Sequence, residues 1–405
     1  MVNGFVWQQG KTLFFASWIP LIVCVLLTVT KIRRKWTVLL LIFFIAECCF
    51  ISLFPLATIQ WWVQVLLLAG FAWSLTFFNI KRRQIMRVLV WSMVPQLAFG
   101  SLQWFRQRVD GSSWLGMSAQ DPLTRGVSVV EQAGQRFLRV YGGFPHPNVF
   151  GGWLALTFIA AFVLSCTEST AWRRWMYLGF AGWSSIVLVV TFSRSAWIAA
   201  ALGMCGMLWD AFHANHFRAG EDLAGQSNKK RYLWNGECAQ RLIILVSVIA
   251  ITAWSVHPLL STRVQGQARL EQLSSQTRLQ SLRDGWTLFT RHPWFGVGPG
   301  VSVFALVHDG IVSVNLPVEP PHLVPLLALD ECGLIGIGLL IFLVVRLRRG
   351  FIQWSEMTWW PLCVLIPLLS TDHFLWSLWS GQCLLMVAMA IVLCAEISEP
   401  ITATL

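Results

Sequence analysis

Glu319-Pro320-Pro321-His322-Leu323-Val324-Pro325-Leu326-Leu327-Ala328-Leu329-Asp330-Glu331-Cys332-Gly333-Leu334-Ile335-Gly336 closes the longest polar interruption in this chain and opens an apolar run that continues to Val345. From Ser261 to His322 the residues are mostly polar, with Arg263, Arg269, Arg278, Arg283 and Arg291 spread along them. A polar stretch that gives way within three residues to a run long enough to cross a bilayer predicts a membrane-spanning helix below an outer loop. His322 is fixed at that boundary by two prolines, whose rings lock the preceding backbone.

Composition agrees. Hydrophobic residues make up 56% of the chain and charged residues 12%, with mean hydropathy +0.62, whereas a soluble domain carries roughly a quarter charged residues. The fold class is an all-α integral membrane protein. Apolar runs near 12–30, 36–54, 59–80, 88–102, 150–166, 175–192, 195–212, 242–258, 323–345, 358–371 and 375–394 predict about eleven transmembrane helices, with 10–12 as the range. No small-residue cleavage site follows the first run, so Thr12–Thr30 reads as a retained span. All cysteines but Cys238 lie in apolar segments, which speaks against a disulfide framework.

Basic residues sort the loops. Lys31, Arg33, Arg34, Lys35, Lys81, Arg82, Arg83, Arg87, Arg173, Arg174, Arg218, Lys229, Lys230, Arg231, Arg241, Arg346, Arg348 and Arg349 all fall on one side of the eleven-span arrangement, which marks it as cytoplasmic. The other side receives Lys11 and otherwise only arginines. The chain thus reads as one polytopic domain over 1–405, with a first outer loop at 103–149, a cytoplasmic connector at 213–241 and a large outer loop at 259–322. Within the last, Leu270, Leu273, Leu279 and Leu282 give Arg263–Asp284 the spacing of an amphipathic helix. Arginines at a membrane surface can pair with lipid phosphates. Their near-exclusive use also suits a surface that handles phosphate through a planar, permanently charged fork.

Several residues stand out as candidates. In Gly142-Gly143-Phe144-Pro145-His146-Pro147-Asn148, the prolines hold His146 and Asn148 on a non-helical turn. Asn148 either caps the fifth helix or joins Arg139 and His146 in contacting a sugar or phosphate. Arg194, in Thr191-Phe192-Ser193-Arg194-Ser195-Ala196-Trp197, sits near membrane depth, where an arginine requires a partner or a wet cavity. Arg278 and Arg283 lie on adjoining faces of the amphipathic helix. Gly296-Val297-Gly298-Pro299-Gly300 reads as a tight turn packed under the loop, or as a phosphate cradle. Glu331, about 13 Å along a helix from His322, is too deep to orient it, so Asp330 or Glu331 ties helices together. Asp372 and His373 are adjacent between the last two spans; they share a role, or Asp372 caps the last helix.

His322 with Glu331, Gly333 and Gly336, preceded by Arg278, His292-Pro293 and Gly296-Val297-Gly298, resembles the closing motif of the O-antigen ligase and O-antigen polymerase family of bacterial membrane proteins. Ser193-Arg194-Ser195-Ala196-Trp197 and the Pro145–Asn148 turn are similar to elements of that family, so the resemblance covers roughly residues 126 to 340. One departure is Leu323, where the family commonly has asparagine.

The resemblance implies a glycosyltransferase of the C-type membrane fold in the bacterial inner membrane. It would take a glycan from an undecaprenyl pyrophosphate-linked donor on the periplasmic or outer face and pass it to a glycan, lipid or protein acceptor. His322 would activate or orient the acceptor, and Arg194 and Arg278 would hold the pyrophosphate. Arg139, His146, Asn148, Arg283 and His373 join them as candidate substrate contacts. The implied chemistry is inverting and metal-independent, with no cofactor and no nucleic-acid partner. A polymerase of lipid-linked repeat units would use the same donor chemistry. A transporter of an anionic lipid-linked glycan would also want arginines, but lining the midplane and within internal repeats, neither of which the sequence shows.

Overall fold

The computed structural model describes residues 6–9, 12–15, 52–78, 80–222, 235–266, 269–313, 318–351 and 358–394. The described chain is predominantly helical. Val6–Gln9 (β1) pairs antiparallel with Thr12–Phe15 (β2). The span expected at 12–30 therefore begins in a strand, and the rest of it lies outside the described residues. So does the span expected at 36–54, apart from a non-helical lead-in at 52–54.

Helices account for the other nine expected spans. The described helices are Pro55–Phe77 (α1), Arg82–Ser92 and Val94–Arg106 (α2 and α3, one expected span broken at Met93), Pro147–Thr167 (α4), Ala171–Val190 (α5) and Arg194–Asp222 (α6). After these come Gly236–Ser255 (α7), His257–Gln265 (α8), Arg269–Arg291 (α9), Ser302–His308 (α10) and Val324–Phe351 (α11). Trp360–Thr371 (α12), Phe374–Ser377 (α13) and Trp379–Leu393 (α14) complete the set. Among the described residues six helical stretches are long and apolar enough to cross a membrane: 55–72, 82–106, 147–167, 194–212, 236–255 and 324–342. The chain is a multi-pass membrane protein.

α4 is the hub. Its sequence is apolar on every side, which places a helix inside a bundle, and every residue from Pro147 to Ser165 is buried. It packs against α2, α5, α6, α12 and α14. Trp153 illustrates the fit: its ring is buried and its indole N–H donates to the Ser380 carbonyl at 3.0 Å.

The expected loops are more structured than composition suggests. In 103–149, α3 runs on to Arg106 and Val129–Gln132 (β3) pairs with Gln135–Leu138 (β4). Ala133 and Gly134 at the hairpin tip both have positive φ, the geometry of a two-residue turn that matches strand twist. In the 213–241 stretch α6 continues to Asp222 and α7 starts at Gly236. The amphipathic helix expected to end at Asp284 is two helices, separated at Gly266, and the second extends to Arg291.

α11 is discontinuous. Gly333 has φ 63° and ψ −177°, so the helix breaks there. Within a membrane the freed backbone groups need partners, and the glycine-rich turn supplies them. Val297 and Gly298 N–H donate to the Asp330 and Glu331 carbonyls at 3.0 and 2.9 Å, while Leu334 and Ile335 N–H donate to the Pro293 and Trp294 carbonyls at 2.9 and 3.0 Å. A Cβ on Gly333 would approach the Trp294 carbonyl to 2.5 Å, and one on Gly296 would meet the Glu331 backbone at 2.4 Å. The turn is thus a plug for a broken helix. The Glu331 carboxylate fastens it, accepting from Gly300 N–H at 2.7 Å, Ser302 N–H at 3.2 Å and Trp376 Nε1–H at 2.6 Å.

Candidate active site

One end of the bundle gathers the start of α4, the α5–α6 turn, α8, α9, the start of α11 and the α12–α13 junction. His322 stands two residues before α11, after buried Pro321, with its side chain 13% exposed. Its Nε2 lies 3.0 Å from Glu319 Oε2. Its Nδ1 is buried without a hydrogen bond and faces Asp372 Oδ1 at 3.6 Å. Burial alone disfavours the imidazolium, but the two carboxylates outweigh it and hold the His322 pKa up at about 9. Asp372 is pushed the other way: burial would raise its pKa, and the facing histidines keep it well below the carboxylate range.

Asp372 is held from behind. Its Oδ2 accepts from Asn148 Nδ2–H at 2.7 Å, and Asn148 Oδ1 accepts from the buried Arg139 guanidinium at 2.6 Å. His322, Asp372, Asn148 and Arg139 therefore form a continuous chain of polar contacts from α11 through the α12–α13 junction to α4. Asn148 does not cap α4. His146 does, its Nδ1 accepting from Asn148 N–H at 3.1 Å, which leaves Nε2–H to donate to Ser128 Oγ at 3.0 Å. Burial and then Arg139 bring the His146 pKa down to about 3, so it acts as a neutral cap. Asp372 likewise does not cap the last helix, which starts after Leu378. Its Oδ1 accepts from His373 N–H at 2.8 Å.

The arginines divide by role. Arg139 Nε–H donates to the Thr191 carbonyl at 2.8 Å and Arg263 Nε–H to the Phe192 carbonyl at 2.9 Å. Two buried guanidinium groups thus hold the α5–α6 turn, where Phe192 takes a positive φ of 50°, a costly conformation for a bulky residue. That turn presents Arg194 at the start of α6 with its side chain 35% exposed. Glu271 of α9, buried, pairs with Arg263 and stands 3.6 Å from Arg194 Nη2. Arg278, half-buried two turns further along α9, bears on the same centre: its charge acts at Arg139, His146, Arg263, His322 and His373. Arg283 is exposed, and among the described contacts its side chain joins none of this group.

His373 is brought in by its ring, 5.0 Å centroid to centroid from His322. Sequence reasoning gave Asp372 no part in holding His322, and it missed Glu319 altogether. The adjacency of Asp372 to His373 and the three-residue spacing of Glu319 from His322 were the available signals. Neither reveals that α12 returns beside α11.

Residues 179–343 match the family model described as O-antigen ligase. No curated protein and no solved structure matches the chain. The matched stretch contains Arg194, Arg263, Glu271, Arg278 and His322, and it ends beyond the break at Gly333; Arg139, Asn148 and Asp372 lie outside it. Over residues 179–343 this multi-pass membrane protein is thus similar to the O-antigen ligase family.

Proposed function

We propose that the protein is an inverting, metal-independent glycosyltransferase of the bacterial inner membrane. It transfers a glycan from an undecaprenyl pyrophosphate-linked donor to an acceptor hydroxyl on the periplasmic or outer face. The observation that carries this reading is the His322–Asp372–Asn148–Arg139 chain beside Arg278 and Arg194, at one end of the bundle. In the reaction the acceptor oxygen attacks the anomeric carbon from the face opposite the leaving group. The carbon–oxygen bond to pyrophosphate breaks, and undecaprenyl pyrophosphate departs with the electron pair. The acceptor proton goes to His322.

Asp372 favours Nδ1–H on His322 and so leaves Nε2 for the acceptor, the division of labour that a carboxylate gives any catalytic imidazole. The half-exposed Glu319 carboxylate occupies the position at Nε2 that an acceptor hydroxyl would take. Arg278 and Arg194 meet the negative charge that builds on the pyrophosphate, which fixed cations stabilise most where water is scarce. Arg139 and Asn148, first considered as substrate contacts, serve in this reading to hold Asp372, and His146 to start α4. Arg283 is left as a contact for lipid or for the outlying donor.

Reconstitution in proteoliposomes tests the reading. With a lipid-pyrophosphate glycan donor and a chelator present, wild type transfers to an added acceptor and Arg278→Ala does so at least about tenfold more slowly. Consumption of lipid A core or protein identifies a ligase, and elongation of the donor itself identifies a polymerase. Absence of transfer by wild type to every acceptor overturns the reading.

A further inference from the structure

We propose that His322, Asp372 and His373 also form a zinc-type cation site, and that Zn2+ bound there blocks transfer. One ligand atom from each of the three lies within 4.8 Å of the others. His322 Nδ1 and Asp372 Oδ1 are 3.6 Å apart. Two ligands on a tetrahedral zinc, each about 2.0–2.1 Å from the metal, stand roughly 3.3–3.4 Å apart. A closure of a few tenths of an ångström brings the pair to ligating distance.

Zn2+ would displace the proton that Asp372 favours on His322 Nδ1, leaving Nε2–H to donate to Glu319 at 3.0 Å and the pair of the buried Nδ1, which makes no hydrogen bond, for the metal. Ser377 donates its hydroxyl to the His373 carbonyl at 3.1 Å, so His373 Nδ1–H must be the donor in its 2.6 Å contact with Ser377 Oγ. That puts the free pair of His373 on Nε2. Asp372 Oδ2 is fixed by Asn148. Each candidate ligand therefore has an outer partner that orients it, as ligands of zinc sites characteristically do.

Two imidazoles and one carboxylate suit zinc and its neighbours, whereas Mg2+ and Ca2+ prefer all-oxygen sets. Asp372 and Glu319 offset the added charge. The binding claim stands on geometry alone; the inhibitory claim rests on the proposed function, because the metal takes up the imidazole that would receive the acceptor proton.

Binding is read without substrate. Full-length protein in nanodiscs is titrated with Co2+, whose visible d–d absorption reports nitrogen and oxygen ligation. We expect one Co2+ per chain, displaced by Zn2+ and not by Mg2+, with the spectrum lost in His322→Ala and in His373→Ala. Ser377→Ala should weaken binding by about tenfold. Size-exclusion profiles matching wild type establish that the variants fold. The separate His292–Asp309–His308 group, with contacts of 2.8 and 3.1 Å, is controlled by His308→Ala, which should keep the signal. No spectrum in wild type, or one that survives both His322→Ala and His373→Ala, overturns the site. Co2+ binding with transfer unaffected by Zn2+ overturns the inhibition. Co2+ binding in a protein that transfers to no acceptor leaves the site standing and removes the transferase reading.

Discussion

Replacing Asp372 by asparagine should move the pH dependence of transfer towards acid. His322 is held at about 9 against an ordinary 6.5, chiefly by Asp372 at 3.6 Å and then by Glu319. With a raised pKa the protonated form is favoured, so at pH 7 only about one molecule in a hundred carries the neutral imidazole. If that neutral form takes the acceptor proton, kcat/KM of wild type climbs about tenfold per pH unit above pH 7 and levels near pH 9. An opposite charge within a few ångströms shifts a pKa by about 1–3 units, so Asp372→Asn brings the midpoint down by that amount. It also lowers the plateau, because one of the bonds accepted from Asn148 and His373 is lost and the ring is less well oriented. Glu319→Gln should give a smaller displacement, since its half-exposed side chain is screened by water. The assay is transfer in proteoliposomes between pH 6 and 10, with chelator present so that His322 carries only protons. An unchanged midpoint in Asp372→Asn refutes the coupling. A wild-type rate that falls rather than rises up to pH 9 refutes the base, and makes the imidazolium an acceptor-orienting group.

The arginines give separable outcomes. Arg278→Ala and Arg194→Ala should each lower kcat/KM for the donor by about tenfold to a hundredfold, the loss of a charge-assisted hydrogen bond of about 1.5–3 kcal/mol, while leaving yield and size-exclusion profile unchanged. Arg263→Ala should instead cost about 3–5 kcal/mol of stability, because it leaves the Glu271 carboxylate buried beside only the partly exposed Arg194; a thermal-shift scan in detergent reads the difference. Gly333→Ala adds a methyl where φ is 63° and the Trp294 carbonyl is 2.5 Å from the new Cβ. The backbone alone, at ψ −177° in a region open essentially only to glycine, costs about 1–3 kcal/mol, and folded yield should fall sharply. Gly338→Ala, with nothing within 4 Å, should express like wild type.

The membrane character and most helices were legible from apolar runs, because length and hydropathy are local properties. So was His322, whose two prolines set it at a boundary. The plug was half legible: Gly296, Gly298 and Gly300 announced a tight turn, but only the fold pairs Val297 with Asp330 and Leu334 with Pro293. The sequence left open whether Asp330 or Glu331 ties elements together; it is Glu331 that does so, through Gly300, Ser302 and Trp376. Arg139 and Asn148 carried the right emphasis for a different contact, since a sequence cannot distinguish an arginine aimed at phosphate from one buried on a carbonyl. Asp372 was hidden by distance. Fifty residues separate it from His322, and their meeting depends on α12 returning beside α11.

The most direct test of the central claim compares wild type and His322→Ala in single-turnover transfer from a lipid-pyrophosphate glycan. Removal of a general base lowers the rate by about 10²–10⁴-fold, and the account predicts that loss with donor binding within about threefold of wild type. A His322→Ala protein that transfers within tenfold of the wild-type rate would contradict it.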